Sequence, residues 1–235
     1  MQLSQIPLTS ILPYQGVGDT QCGAYCLAYY EWLAGTGDPS PFVQTAESEF
    51  NFQKSAQLKG QIQGIFDHVR FQEEAIPALP QGYEDLAHML ADFSSPISIM
   101  RELLARGMDP QFYIGDLGAD LVNAILEGHI YSEEPPDSKA EAEARIHAGV
   151  LPLAHAGYMI SLWGLPNEAT GAFIPYHYVL LKREEGALYV IDPAVGKVQP
   201  IFPDPAAEGG EEPEDAVPFE DAVAGIQYGH AGFVF

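Results

Sequence analysis

The chain is poor in cysteine and in positive charge. It has 2 cysteines among 235 residues, Cys22 and Cys26, which lie four positions apart. A bond between such close neighbours would close almost no loop, so we expect no disulfide framework. Against 33 Asp and Glu residues there are only 10 Lys and Arg residues, which gives a net charge of -23. Phosphate backbones and anionic membranes repel such a chain, which argues against nucleic acid and membrane partners and favours a basic peptide or protein.

Long hydrophobic runs are absent as well. No stretch approaches the roughly 18–20 apolar residues that a membrane-spanning helix requires. Residues 1–14 have neither the positive start nor the continuous apolar segment of a secretory signal. We therefore predict a cytoplasmic protein, and an effector exported without a cleaved signal peptide would show the same features.

The order of the predicted elements indicates the fold class. Hydrophobic residues make up 47% of the chain, enough for a packed core. Apolar periodicity predicts helices at 23–33, 41–58, 83–92, 96–106, 117–127 and 138–148. β-Branched and aromatic runs predict strands at 157–165, 176–182, 188–191, 198–202 and 232–235, with a short helix near 218–225. Helices followed by strands are typical of an α+β fold, here an N-terminal helix packed on an antiparallel sheet.

Cys22 lies where a polar turn leads into the first predicted helix. The positive end of the helix dipole and the free N–H groups there favour a thiolate, the form that attacks carbonyl carbon. Gly23 would leave room for a substrate to approach the backbone. The alternative is that Cys22 is a small buried hydrophobic residue, which is the commoner role of a single cysteine.

Cys26 lies one turn further along the same helix, among apolar residues. We predict that it packs in the core. A metal site with two cysteines would need further Cys or His residues at a zinc-binding spacing, and no such spacing occurs in the sequence. We therefore predict neither a metal nor a cofactor.

His177 and Asp192 flank a predicted hairpin. His177 begins the strand at 176–182, Asp192 follows the strand at 188–191, and residues 183–186 form the turn between them. Because the two ends of such a hairpin lie side by side, Asp192 could reach the His177 ring, fix its tautomer and stabilise its charged form. The alternative is an ordinary strand-edge histidine and an ordinary turn at Asp192.

Three blocks resemble the papain-like fold in its bacterial peptidase C39-like form. They are Asp-x-x-Cys-Gly-x-x-Cys-Leu-Ala at 19–28, His-Tyr-Val-Leu-Leu at 177–181 and Tyr-Val-Ile-Asp-Pro-Ala-x-Gly-Lys at 189–197. The resemblance implies that Cys22 is a nucleophile, His177 its base and Asp192 the residue that orients the base. It also implies an oxyanion hole formed by a glutamine before the nucleophile, which we assign to Gln15, and by the backbone N–H of Cys22.

The stretch between Cys22 and His177 is longer than a compact domain of that family needs. We therefore expect residues 1–235 to form a single papain-like catalytic domain, in which residues 40–148 are a helical insertion over or beside the cleft. Such an insertion could select the substrate or cover it.

Together these features predict a cysteine peptidase-like hydrolase that cleaves a peptide or amide bond through an acyl-enzyme thioester. Two alternatives remain open. One is an effector-type protein glutamine deamidase or acyl transferase on the same fold. The other is a papain-like binding module without catalysis, in which the cleft serves only to hold a partner.

Overall fold

Nine strands form two sheets in the part of the protein that the structure describes. The computed structural model describes residues 3, 6, 10–12, 14–15, 20–34, 44–45, 52–71, 93–123, 136–166, 173–205, 216–223 and 226–235. Within these ranges the strands are β1 (Ser10–Ile11), β2 (Gln44–Thr45), β3 (Gln111–Tyr113), β4 (Ile146–His147), β5 (Tyr158–Pro166), β6 (Phe173–Glu184), β7 (Ala187–Asp192), β8 (Lys197–Ile201) and β9 (Gln227–Val234). β1 and β2 pair with each other, and the other seven form the main sheet in the order β4-β3-β9-β5-β6-β7-β8.

The main sheet is mixed. β3 and β4 are parallel at one edge, whereas the pairs β3–β9, β9–β5, β5–β6, β6–β7 and β7–β8 are antiparallel. The predicted α+β class is confirmed. The expectation of an antiparallel sheet is wrong at that edge, where two short strands that the sequence did not predict extend the sheet beyond β9.

β6 and β7 form the predicted hairpin. Its turn is Glu185 and Gly186, whose φ angles of 53° and 86° belong to the two-residue turn that matches the twist of antiparallel strands. The pairing with β7 runs from Glu184 opposite Ala187 to Leu180 opposite Ile191. β6 begins earlier than predicted and pairs with β5 beyond the hairpin. His177 therefore lies inside a long strand rather than at its start.

The helices of the described ranges are α1 (Cys22–Ala34), α2 (Phe52–Val69), α3 (Pro96–Ala105) and α4 (Pro136–Ala144). α1 and α3 confirm the predictions at 23–33 and 96–106, and Ser95 caps α3 by accepting a hydrogen bond from the Ser98 backbone N–H. The prediction at 41–58 is wrong in its bounds, since α2 begins and ends later. The helix predicted at 138–148 ends at Ala144, and β4 follows it.

Three other predictions differ in extent, and a fourth is not tested. Of the helix predicted at 117–127 the structure describes helical residues 119–123, after a 3₁₀ helix at Gly115–Leu117. Residues 83–92 lie outside the described residues. The helix predicted near 218–225 is a 3₁₀ helix at Phe219–Asp221, and the last strand is longer than predicted because β9 begins at Gln227.

Residues 40–148 contribute more than helices to the fold. They include α2, α3 and α4, but also β2, β3 and β4. β3 pairs with β9 and thereby extends the main sheet. These strands depart from the expectation of a purely helical segment, and the interpretation of the segment as an insertion stays a prediction. No helix in the described parts of the chain is long and apolar enough to span a membrane.

The two faces of the main sheet have separate cores. One face, which we call the helix face, packs against α1 and presents Ile160, Leu162, Leu180, Ile191 and Phe233. The other, the reverse face, presents Met159, Trp163, Val179, Leu181 and Val190. This alternation follows from the pleat of the strands, in which successive side chains point to opposite sides. α1 itself is buried nearly all round, from Cys22 to Tyr29, which agrees with its small and apolar residues.

Candidate active site

Cys22 is the first residue of α1 and exposes 1% of its surface. The first hydrogen bond of the helix runs from the Tyr25 N–H to the Gln21 carbonyl at 3.0 Å. The N–H groups of Cys22, Gly23 and Ala24 therefore lie ahead of the helical ladder, at the positive end of the helix dipole. The Cys22 Sγ lies 3.9 Å from the Thr20 carbonyl oxygen, which can accept its weak hydrogen bond.

Asp192 ends β7 and holds the ring of His177. The His177 Nε2 and Asp192 Oδ1 are 2.6 Å apart, and both side chains are buried. The same carboxylate oxygen accepts a hydrogen bond of 2.8 Å from the Ala194 N–H. The carboxylate is thus oriented by the turn that follows its strand, and it in turn fixes the orientation of the imidazole.

His177 also makes a hydrogen bond with the side chain of Cys22. Because Nε2 is engaged by Asp192, the nitrogen available to the thiol is Nδ1. Burial by itself lowers the pKa of His177, but the hydrogen bonds to Asp192 and Cys22 outweigh it and raise that pKa to about 10. His177 is therefore an imidazolium at neutral pH, placed between a thiol and a carboxylate.

Gln15 lies beside Asp192, on a segment held from two directions. Its backbone N–H donates to the Pro193 carbonyl at 2.9 Å, and the Tyr25 hydroxyl donates to the Tyr14 carbonyl at 3.1 Å. The Gln15 Oε1 is buried and makes no hydrogen bond within the described part of the chain. Gln21, the glutamine directly before Cys22, donates from its Nε2 to the Gln63 Oε1 of α2 at 2.8 Å. The structure therefore places Gln15 next to the Asp192 turn and engages the Gln21 side chain with α2.

Gly23 has a packing role that the sequence did not indicate. A Cβ at this position would come within 2.5 Å of the Cβ and Oγ of Ser94. The space beside the Gly23 backbone is therefore filled by Ser94, and the expectation that it admits a substrate is wrong at that point. Ser94 and Tyr178 are linked, since the Tyr178 hydroxyl donates to the Ser94 carbonyl at 3.1 Å.

Cys26 packs in the core behind the site, as predicted, and is fully buried. Burial raises the pKa of its thiol well above the ordinary value, and the charges of Cys22 and Asp192 raise it further. Burial, followed by the charges of Cys22 and Cys26, also raises the pKa of Tyr178. Cys26 and Tyr178 are thus neutral groups close to Cys22.

Three of the residues around the site were not predicted: Tyr25, Ser94 and Tyr178. Tyr25 follows Cys22 by one turn on the same face of α1, a spacing that helical periodicity could have revealed. Ser94 lies far from Cys22 along the chain, and no local signal points to it. Among the described residues, no group of three or more His, Cys, Asp and Glu side chains is placed to hold a metal ion.

No protein-family model, curated protein or solved structure matches this chain.

Proposed function

We propose that the protein is a cysteine-dependent hydrolase of peptide or amide bonds, with a papain-like arrangement of its nucleophile helix and sheet. The observation that supports this best is the continuous chain of contacts Cys22–His177–Asp192, with 2.6 Å between the last two side chains. A nucleophile, a base and a group that orients the base, in mutual hydrogen-bond contact, are the components of covalent acyl transfer.

The supporting elements fit the proposed fold. α1 presents Cys22 at its first turn and packs against β6, which carries His177, while the adjacent β7 carries Asp192. Residues that are far apart in the sequence thus meet through one helix and two neighbouring strands. Sites built on such regular elements hold their side chains more precisely than sites on loops.

In the proposed reaction the Cys22 thiolate attacks the carbonyl carbon of the scissile bond. The resulting oxyanion accepts hydrogen bonds from the backbone N–H of Cys22 and the side-chain amide of Gln15. His177 then donates the Nδ1 proton to the leaving nitrogen, so that the amine departs and a thioester remains on Cys22. Asp192 stabilises the imidazolium without taking up its proton.

Hydrolysis of the thioester uses the same groups in the reverse direction. The now neutral His177 takes a proton from water through Nδ1, and the hydroxide formed attacks the thioester carbonyl. Collapse of the second tetrahedral intermediate releases the acid and returns the thiolate, beside an imidazolium that carries the proton from water. The net charge of -23 favours a basic peptide as substrate, since the protein's field attracts it.

A second candidate function is that of a binding module, which has the same site but does not catalyse a reaction. The burial of Cys22, which exposes only 1% of its surface, favours it, because a substrate has to displace the residues that cover the thiol. The two candidates differ in one prediction. Loss of the Cys22 sulfur abolishes the activity of an enzyme, whereas a binding module keeps its affinity for its partner.

The test is acylation by p-nitrophenyl acetate, followed by intact mass and peptide mapping. The parent should release a burst of about one equivalent of p-nitrophenolate and carry one acetyl group on Cys22. Cys22→Ala should lose the burst, and the matched variant Cys26→Ala should keep it. A mixture of basic and acidic peptides, analysed for cleavage by mass spectrometry, then tests amide hydrolysis and the preference for basic substrates. Equal acylation of parent and Cys22→Ala would rule out the proposed nucleophile.

A further inference from the structure

The reverse face of the main sheet carries a cavity of about 820 Å³. The segment before β5 contributes Leu151 and Leu153, and it is tied to β9 because the Leu151 N–H donates to the His230 carbonyl at 2.7 Å. Phe219 closes one side, and Gln227, Tyr228 and His230 of β9 form another. α1 and Cys22 belong to the core of the opposite face. The cavity is therefore separate from the site proposed above.

β9 is distorted where it borders the cavity. Along β5 the pairing steps from Leu162 opposite Ala231 directly to Trp163 opposite Tyr228, which leaves two residues of β9 without a partner on β5. One of them is His230, whose φ of 52° is uncommon for a residue other than glycine. Bulges of this kind redirect side chains and occur often beside functional sites. Here the ring centroids of Tyr228 and of His230, which lies in the bulge, are 4.5 Å apart.

Aromatic rings form a continuous wall beside the cavity. The rings of Phe219 and Tyr228 meet edge to face at 4.8 Å. Trp163, which is fully buried, lies behind both, at 5.3 Å from Phe219 and 5.4 Å from Tyr228. Such a wall offers flat apolar contact to an aromatic molecule.

We propose that this cavity binds a small uncharged molecule with an aromatic body. Its volume is in the range of small-molecule sites, and its surface is mostly apolar. None of the described residues that line it is Asp, Glu, Lys or Arg, so no permanently charged side chain of the described lining would compensate a charge on the ligand. The Gln227 amide and the His230 imidazole supply the hydrogen bonds that would orient the molecule.

The position of Trp163 provides a direct measurement. The protein has 2 tryptophans, and Trp32 lies on α1 at the other face of the sheet. In the Trp32→Phe variant, energy transfer from Trp163 to the uncharged aromatic dye Nile red reports binding in the cavity. We expect saturable binding of one dye per chain, with a Kd of about 1–100 µM.

Two matched variants decide where the dye binds. Ala154 is an exposed residue of the cavity wall, and Ala105 is an exposed residue at the end of α3. On the Trp32→Phe background, Ala154→Phe should weaken Nile red binding about tenfold or more by filling the cavity, and Ala105→Phe should change it less than about twofold. Blocking Cys22 with iodoacetamide should leave the affinity unchanged, which separates this proposal from the proposed hydrolase.

Three results would overturn the proposal. They are the lack of saturable binding, equal affinity of the Ala154→Phe and Ala105→Phe variants, and loss of binding after alkylation of Cys22. The anionic dye 8-anilinonaphthalene-1-sulfonate tests the chemical class, since it should bind at least about tenfold more weakly than Nile red. Anionic dye binding as tight as that of Nile red would contradict an uncharged ligand.

Discussion

The first and second turns of α1 each carry a cysteine, and the two are in different chemical environments. Cys22 and Cys26 are both buried, with 1% and 0% of their surfaces exposed. Cys22 makes a hydrogen bond with His177, whose pKa is raised to about 10, and so it lies beside a cation. The pKa of the Cys26 thiol is raised instead, first by burial and then by the negative charges of Cys22 and Asp192.

The difference shows that burial alone does not decide what a cysteine does. The two thiols share a residue type, a helix and nearly the same exposure. Cys22 differs from Cys26 in having His177 as a partner, which lies on β6 and is held by Asp192 at the end of β7. The reactivity of Cys22 should therefore depend on His177 and on its hydrogen bond with Asp192.

The largest effect should come from His177→Ala. The pKa of about 10 keeps His177 charged across neutral pH, and a neighbouring cation stabilises a thiolate. At pH 6 an unassisted thiol is ionised only to about one part in several hundred, so alkylation of Cys22 should slow on the order of 10²-fold in the variant. The measurement is the iodoacetamide rate of each cysteine by peptide mapping between pH 5 and pH 9.

The pH profile provides the internal control. In the parent the Cys22 rate should depend less on pH between 6 and 8 than in the variant, because the imidazolium persists until the pH approaches about 10. In His177→Ala it should rise about tenfold per pH unit, as for an ordinary thiol, and approach the parent near pH 8.5. Cys26 should remain slow in both proteins. A parent profile with the slope of an ordinary thiol would disprove the ion pair.

A smaller effect should follow from Asp192→Asn. The variant keeps a hydrogen-bond acceptor for His177 Nε2 but removes the negative charge that helps to raise the pKa of His177. Because the imidazolium is then held less firmly beside the thiol and stabilises a thiolate less, alkylation of Cys22 at pH 6 should slow by about tenfold. The same exchange at the exposed Asp221 is the control and should have no effect. Equal rates in the two variants would mean that Asp192 does not support the imidazolium.

Much of the candidate site could be predicted because its signals are local. The start of α1 is marked by a polar turn before a small and apolar run, and the β6–β7 hairpin by the turn at Glu185 and Gly186. The hairpin brings His177 and Asp192 together, whereas the meeting of Cys22 with this pair was implied by the resemblance of the three sequence blocks to the papain-like fold. The order of residue types therefore carried information that no single motif contains.

The remaining features depend on contacts between distant parts of the chain. β3 has three residues and β4 has two, too few to show a period. They are strands because β3 pairs with β9 and β4 pairs with β3. α2 carries Gly60 and Gly64, which act against helix in a sequence but have open space around them here. Ser94 was missed for the same reason, since its position beside Gly23 arises only from packing.

The smallest effect on Cys22 should come from Cys26→Ser, which tests the other side of the comparison. The rate of Cys22 alkylation at pH 6 should change by less than about twofold, because Cys26 lends no charge to the imidazolium.

Cys26→Ser should instead lower the stability of the fold, since a hydroxyl replaces a thiol at a position with no exposure. The hydroxyl can bond back to the Cys22 carbonyl one turn earlier, so the free energy of unfolding in urea should fall by only about 1 kcal/mol. Ala105→Ser, at an exposed helical position, is the control and should cost a few tenths of that. A tenfold loss of Cys22 reactivity with an unchanged unfolding free energy would show instead that the two thiols act together.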